Sequence, residues 1–227
     1  MFYIVTMPRP TGVDATFFKS WSPNMAYVLG VVCADGCLVE HGNGYHCLNI
    51  TSKDRPWLEQ IKDVLKAEQR IGAKRQAYQL QIRNQTLYRS LLELGVTPRK
   101  SKTLQLPSVP TDVFPDFVRG YLDGDGTVLV WQESRWQHPW QLRVAFHSGS
   151  LIFLEKLRLQ LQERVDLSRG SLLTRPDVSV LSYTIADSLK LYRWMYRHDD
   201  TLCLPRKRVR FEQFFALRGK RLHHPEE

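Results

Sequence analysis

Apolar and polar residues alternate along several segments of the chain, which is the pattern of half-buried β-strands. In AYQLQIRN, Leu80 and Ile82 fall on one side while Gln79, Gln81 and Arg83 fall on the other. The segment WQLRVAFHS (140–148) alternates in the same way, and its polar side carries Gln141, Arg143 and His147. Such strands predict antiparallel sheets with one face on a core and the other face open.

A second spacing, close to that of an α-helix, marks the helical segments. Apolar positions recur at this spacing over residues 54–69, 150–165 and 187–198, so each segment predicts a helix with one buried face. A further helix is predicted to begin near Ser22, which is a suitable N-cap, with Pro23 in the first turn. The predicted fold class is therefore α+β.

The order of elements occurs twice, because the chain contains an internal repeat. The segments VLGVVCADG (28–36) and VRGYLDGDG (118–126) align at an offset of 90. Three later pairs follow in the same order: LNITSKDRPWLEQI (48–61) with VAFHSGSLIFLEKL (144–157), LQIRN (80–84) with YTIAD (183–187), and TPRKSK (97–102) with LPRKRV (204–209). We predict two similar halves, residues 1–107 and 108–227, each with the order helix, two strands, helix, two strands, helix.

Each repeated segment contains a glycine in the middle of an apolar helix and another at its end. Gly30 and Gly120 lie inside the helices, where glycine costs about 1 kcal/mol relative to alanine. A helix accepts that cost where another backbone comes close, so we expect the two helices to cross at these glycines. We expect Gly36 and Gly126 to end the helices in left-handed turns.

An aspartate occupies the last turn of each of these helices. The dipole already makes the surroundings of Asp35 and Asp125 negative. Two carboxylates side by side, with main-chain carbonyls such as that of residue 34 nearby, favour a hard divalent cation, and Mg²⁺ is the expected ion. Paired ions of this kind can activate water and stabilise the leaving oxygen of a phosphodiester. An EF-hand is excluded, because the twelfth position counted from Asp123 is Ser134 rather than glutamate.

The balance of charge indicates a polyanionic partner. Among 227 residues there are 32 Lys and Arg against 23 Asp and Glu, a net charge of +9, and nucleic acid is the commonest partner of such a chain. No apolar run is long enough to span a membrane, the N-terminus lacks a secretion signal, and four cysteines do not suggest a disulfide framework. We therefore expect an intracellular protein. A zinc site at Cys33, Cys37, His46 and Cys47 stays open as a minor alternative to ordinary buried thiols.

The open strand faces carry side chains that suit base edges and phosphates. The candidate DNA contacts are Gln79, Gln81, Arg83, Arg135, Gln141, Arg143, Ser182 and Thr184. Three tryptophans in residues 130–143 add to the same surface. Polar strand residues also face plain water in most antiparallel sheets, so the pattern favours a nucleic-acid face without excluding a solvated one.

The paired segments resemble the motif of LAGLIDADG homing endonucleases, in the single-chain form with two motif copies, and the likeness extends over about 200 residues. The resemblance implies tandem αββαββα halves related by a pseudo-twofold axis, with the motif helices packed at the interface. It also implies two saddle-shaped antiparallel sheets that hold a long, asymmetric duplex DNA target. A monomer with no membrane association is expected.

The family's site residues carry over to matching positions here. Its metal-binding acids, at the eighth motif position, match Asp35 and Asp125, and a basic residue that assists catalysis matches Lys100 and Lys207. The resemblance implies a double-strand break with short 3′ overhangs, supported by Mg²⁺ or Mn²⁺, whereas Ca²⁺ is expected to bind without supporting cleavage. A polar residue that orders solvent, often Gln in the family, is matched here by two serines, Ser52 and Ser148.

Two features depart from the family pattern. The sixth motif position, often acidic, is Cys33 in the first copy and Asp123 in the second, and the second copy carries the unusual polar residues Arg119 and Tyr121. The same fold also occurs in intron RNA maturases and in DNA-binding regulators without catalysis, and these are the alternative functions. The presence of both acids and both lysines favours the nuclease.

Overall fold

The protein is described from a computed structural model, which covers residues 12–40, 42, 44–134 and 139–218. A short 3₁₀ helix (Phe17–Lys19) precedes the first half. The elements of that half are α1 (Pro23–Ala34), β1 (Gly36–Glu40), β2 (His46–Ser52), α2 (Arg55–Val64), β3 (Gly72–Lys74), β4 (Ala77–Arg83) and α3 (Gln85–Glu93). The Ser22 hydroxyl accepts a hydrogen bond of 3.1 Å from the Met25 N–H, which confirms the predicted N-cap of α1.

The second half repeats this order. Its elements are α4 (Phe114–Asp125), β5 (Gly126–Gln132), β6 (Trp140–Ser148), α5 (Leu151–Val165), β7 (Ser171–Leu173), β8 (Ser179–Tyr183) and α6 (Ile185–Met195), followed by α7 (Pro205–Leu217). The predicted tandem αββαββα fold is therefore confirmed. The halves differ after their third helices, because Lys100–Lys102 forms only a 3₁₀ turn where the second half has α7.

The two sheets have the same topology. Each has four antiparallel strands, in the orders β1-β2-β4-β3 and β5-β6-β8-β7. Alternate residues of the longer strands enter the core with the helices, among them Leu48, Ile50, Leu80 and Ile82 in the first sheet. The remaining residues of each sheet lie on the side away from the helices, which we call the outer face. The predicted division of the strands into two faces is thus confirmed.

The helices α1 and α4 cross in the centre of the molecule and join the two halves. A Cβ atom on Gly30 would lie 2.1 Å from the carbonyl oxygen of Phe117, and one on Gly120 would lie 2.0 Å from that of Tyr27. No side chain fits at either point, because the partner backbone occupies the space. The expected glycine crossing is confirmed, and it obeys the pseudo-twofold symmetry.

The predicted left-handed turns at Gly36 and Gly126 are wrong. Gly126 has φ −96° and ψ 173°, which is extended backbone, and Gly36 is not among the glycines with positive φ. Both glycines begin a strand directly. The reason for glycine is steric instead: a Cβ would lie 2.6 Å from the Val32 carbonyl oxygen at the first position and 2.6 Å from the Leu122 carbonyl oxygen at the second.

The sequence alignment of LQIRN with YTIAD is also wrong. It pairs Ile82 with Ile185, whereas strand register places Ile82 and Tyr183 at the same position, opposite the matched residues Leu48 and Val144. The two strand ends share a short alternating pattern, and a shift of a few residues preserves the match between apolar positions. Strand register decides the alignment here.

The unusual residues of the second motif copy are buried and hydrogen-bonded. The Arg119 guanidinium donates to Asp116 at 2.8 Å and to the carbonyl oxygens of Leu202 and Met195, while Tyr121 donates to the carbonyl of His147 at 2.8 Å. A buried guanidinium is stable only where its donors are paired. These contacts tie α4 to α6, to the segment before α7 and to β6.

Asp123 joins the two halves through a second buried network. Its Oδ2 accepts hydrogen bonds of 2.7 Å from the Tyr27 hydroxyl and from the Leu204 N–H, and the Tyr27 hydroxyl accepts one from Trp57 Nε1. Burial, the largest cause, raises the pKa of Asp123 to about 6. The matching position in α1 is Cys33, which is simply packed in the core.

Candidate active site and nucleic-acid interface

The crossing of α1 and α4 brings Asp35 and Asp125 to the same region, since each carboxylate stands at the C-terminal end of its helix. Both residues keep open surface, although enough protein surrounds each to raise the pKa of both carboxyls. For Asp125, loss of hydration is the main cause and the charge of Asp35 the second, and together they raise its pKa to about 6. The structure thus places two acids close enough to repel each other.

Lys100 and Lys207 lie beneath the two carboxylates and are almost completely buried. Lys207 Nζ donates to the carbonyl oxygens of Leu122, Asp123 and Gly126 at 2.6, 2.8 and 2.7 Å. Lys100 Nζ makes the equivalent bond of 2.6 Å to the Gly36 carbonyl. Each ammonium therefore binds the carbonyl groups at the end of a motif helix, where the dipole is negative.

The electrostatics of the lysines link them to both acids. Burial, the largest cause, lowers the pKa of Lys207 to about 8 and also lowers that of Lys100, while the charges of Asp35 and Asp125 act in the opposite direction on both. Each lysine therefore interacts electrostatically with both acids. The four predicted residues form one cluster at the pseudo-twofold axis.

The donor set at this cluster fits a hard divalent cation. In the described part of the chain, neither Asp35 nor Asp125 makes a side-chain hydrogen bond or ion pair, so their oxygens remain available. The charge of Asp35 raises the pKa of Asp125, so a shared cation would relieve this repulsion, and oxygen is the ligand type that Mg²⁺ prefers. The carbonyl oxygen of Ala34 accepts a long hydrogen bond of 3.5 Å from Lys100 Nζ.

The four residues of the possible zinc site do not come together. Cys33 lies in the core, and the His46 ring packs against Tyr88 with ring centroids 4.7 Å apart. Cys37 and Cys47 lie on the outer face of the first sheet, where Cys37 pairs with Asn49. Across the described residues, no group of three or more His, Cys, Asp or Glu is arranged to hold a metal ion.

The hydroxyls of Ser52 and Ser148 are already engaged in local turns. The Ser52 hydroxyl accepts from the Asp54 N–H and the Ser148 hydroxyl from the Ser150 N–H, both at 3.1 Å. Each serine therefore shapes the entry to the next helix. Their matched positions agree with the predicted repeat, and their role in ordering solvent stays a prediction.

The residues one position earlier, Thr51 and His147, lie on the outer faces instead. The strand pairings begin at Gly36 with Ile50 and at Gly126 with Phe146. Continued by one residue, the same register sets Thr51 opposite Asp35 and His147 opposite Asp125. Sequence reasoning placed His147 on an open face without assigning it to the site. The alternation of the strand was the signal that could have singled out both residues.

His147 has a defined setting beside the second acid. Its Nε2 lies 3.1 Å from the Thr127 hydroxyl. Burial, followed by the positive charge of Lys207, lowers the pKa of the imidazole. The ring is therefore neutral at neutral pH and can exchange hydrogen bonds with a phosphate or a water molecule.

The outer faces carry most of the predicted DNA contacts. Alternation in the strands places the following residues there: Gln79, Gln81, Arg83, Gln141, Arg143 and Ser182. Thr184 is exposed at the end of β8, and Arg135 lies outside the described residues. Among the described strand residues, the outer faces contain no Asp or Glu, as a surface that approaches phosphates requires.

The tryptophans of the second sheet divide between its two sides. Trp131 lies on the outer face, where the Arg143 guanidinium stands 5.2 Å from the centre of its ring. Trp140 packs against the core, and Trp136 lies outside the described residues. Only the first of these supports the expected aromatic contribution to the open surface.

Three features define the fold class. The chain has two matched halves, its central helices cross with glycine against backbone, and a pair of carboxylates lies at the helix ends between two saddle sheets. Solved structures similar to this chain include LAGLIDADG homing endonucleases. I-AabMI bound to uncleaved DNA matches with a TM-score of 0.60 at 17% identity, over 87% of this chain and 90% of that chain. Mesophilic variants of I-DmoI match with a TM-score of 0.57 at 16% identity, over 88% and 99%.

A third structure, I-LtrWI bound to target DNA, matches with a TM-score of 0.54 at 13% identity, over 90% of both chains. Since almost the whole of each neighbouring chain is covered, one chain supplies both halves in every case. These likenesses establish the LAGLIDADG fold in its two-half, single-chain form. No protein-family model matches the sequence, and no curated protein matches it either. Within the described residues, no helix is long and apolar enough to cross a membrane.

Proposed function

We propose that the protein is a homing endonuclease that recognises a long duplex DNA site and cuts both strands, leaving short 3′ overhangs. The observation that carries the proposal is the placement of Asp35 and Asp125 together at the helix crossing. Around them lie two buried lysines and two outer faces without acids. DNA held across both sheets would present its backbone to the carboxylates at the pseudo-twofold axis.

Asp35 and Asp125 would hold Mg²⁺, with Mn²⁺ as a substitute. When bound, the ion supplies an activated water and stabilises charge on the leaving oxygen. Lys100 and Lys207 hold the carbonyl groups of the helix ends, so they fix the positions of the acids. Their positive charge also favours the ionised forms of the two acids, and it would stabilise negative charge on a phosphate in the transition state.

The test begins with selection of cleavable sites from a randomised duplex library in the presence of Mg²⁺. We expect cleavage with Mg²⁺ or Mn²⁺, binding without cleavage in Ca²⁺, and no cleavage in a chelator. Sequencing of the product ends reports the overhang. Asp35→Asn and Asp125→Asn keep the size of the side chain while removing its charge, and each should lower double-strand cleavage by at least about 10³-fold, because a metal ligand is lost.

Binding measured on the same duplex is the control, since each Asn variant should still bind. Full double-strand cleavage by either variant would contradict the assignment of the acids. Tight duplex binding by the unaltered protein, without cleavage in any divalent ion, would leave a DNA-binding protein rather than a nuclease. Preferential retention of intron RNA over duplex DNA in filter binding would instead favour a maturase.

A further inference from the structure

The outer faces of the two sheets differ in chemistry at positions that strand register makes equivalent. In the first sheet, Gln79 pairs with Gly72 on one neighbouring strand and with Thr51 on the other. In the second sheet, Val180 has the same place, between Leu173 and His147. By the same register, Asn49 corresponds to Ala145 and Val39 to Leu129. Two amides of the first face are thus replaced by aliphatic groups in the second.

The aliphatic groups of the second face differ in exposure, since Ala145 keeps only 5% of its surface exposed and Val180 is half-buried. Leu129 and Leu173 keep 47% and 49% of their surface exposed, and both line a groove of about 700 Å³ together with Ala145 and Val180. Large apolar side chains exposed on a sheet face indicate a surface that contacts another molecule.

The charge around the groove indicates what that molecule is. Three arginines, Arg143, Arg169 and Arg175, line the groove with its apolar residues, and its lining contains no acid. An apolar protein partner would not need three guanidinium groups, whereas a nucleic-acid backbone does. The occupant is therefore DNA, presented to the sheet by its major groove.

The major groove offers one apolar group to such a surface, the C5 methyl of thymine. Resting on the proposed function, we propose that the C-terminal sheet recognises its half-site largely through thymine methyl groups, at Leu129, Leu173 and Val180. The N-terminal sheet, with Asn49, Gln79 and Gln81 at its centre, recognises the other half-site by hydrogen bonds. The target is thus asymmetric in the chemistry by which it is recognised, as well as in its sequence.

The experiment uses a duplex selected for binding in Ca²⁺. Cys37 is exposed on the outer face of the first sheet, whereas the other three cysteines are buried, so an iron chelate attached to Cys37 marks the half-site on that sheet by the DNA cuts it makes. Thymines are then replaced by deoxyuridine, which removes only the methyl group, in one half-site at a time. We expect each replacement under the C-terminal sheet to raise Kd about three- to five-fold, and replacements in the other half-site to change Kd less than two-fold.

Matched substitutions exchange the chemistry of the two faces. Val180→Gln carries the residue of the first sheet into the second, and it should remove the uracil effect at the nearest base pair. Gln79→Val is the reverse change, and it should leave the uracil effect in the C-terminal half-site unaltered. The fold of both variants is checked by circular dichroism and thermal unfolding.

Equal sensitivity of the two half-sites to uracil, or a selected C-terminal half-site without thymine, would overturn this inference and leave the proposed nuclease intact. Duplex binding without cleavage in Mg²⁺ would overturn only the proposed nuclease activity, because the uracil comparison measures binding. Failure to select any duplex would overturn both.

Discussion

The two halves of the molecule are most alike where their backbones meet and most different where their side chains face other groups. Gly30 and Gly120 make equivalent contacts with a carbonyl oxygen of the opposite helix, at 2.1 and 2.0 Å from a would-be Cβ. By contrast, Cys33 is packed as an apolar residue where Asp123 holds a polar network. The two halves keep the same residue where only glycine fits, and they differ where several side chains fit the same backbone position.

The largest effect is expected at the symmetric contact. Gly30→Ala and Gly120→Ala each place a methyl group against a main-chain oxygen, so α1 and α4 must separate along their shared length. We expect each variant to lose about 4 kcal/mol or more of unfolding free energy, measured by urea denaturation. Gly72→Ala is the control, since nothing lies within 4 Å of its Cβ position. Equal tolerance of the three substitutions would show that the crossing is not the centre of the fold.

The next effect tests the asymmetric position. Asp123→Cys gives the second half the residue of the first and leaves the Tyr27 hydroxyl and the Leu204 N–H without their acceptor. Each unpaired buried donor costs about 1–3 kcal/mol, so we expect a loss of about 3 kcal/mol at pH 7. Asp123→Asn retains an acceptor oxygen and should lose less. If the cysteine variant is as stable as the asparagine variant, the network does not hold the halves together.

A smaller effect, confined to one DNA strand, is expected from the Thr51 and His147 pair. His147→Thr makes the second half equal to the first beside its acid, and removal of one polar contact with phosphate or water should slow cleavage of one strand about tenfold. Thr51→His is the matched reverse change and should alter the rate at the other strand. The two strands are labelled separately and timed in single turnover. Equal slowing of both strands by either variant would contradict this assignment.

The smallest effect concerns pH. Because lost hydration and the charge of Asp35 raise the pKa of Asp125 to about 6, its metal-binding ionised form predominates above pH 6 and its protonated form below. At limiting Mg²⁺, cleavage should therefore fall as the pH decreases through 6, by up to about tenfold per pH unit. Saturating Mg²⁺ should move this fall to lower pH, since the ion competes with the proton. A profile that is flat between pH 7 and 5 at limiting Mg²⁺ would rule out a raised pKa.

Much of the fold could be predicted from the sequence because its main patterns are local. Alternation of Leu80 and Ile82 with polar neighbours identifies a half-buried strand, and a capping serine before a proline identifies the start of α1. The repeat adds independent support, since each half confirms the order of the other. The pairing of Asp35 with Asp125 followed from the same repeat once the helices were expected to cross.

The sequence itself determined the two-half architecture, the faces of the strands and the four charged residues of the central cluster, because these depend on spacing along the chain. Tertiary structure decided why Gly36 is glycine, where Asp123 is hydrogen-bonded, and that the Ser52 hydroxyl accepts a hydrogen bond from the Asp54 N–H. Those outcomes depend on where the folded chain places backbone carbonyls and donors. No local pattern records such contacts, because the spacing of apolar residues along the chain carries no information about the partner segment.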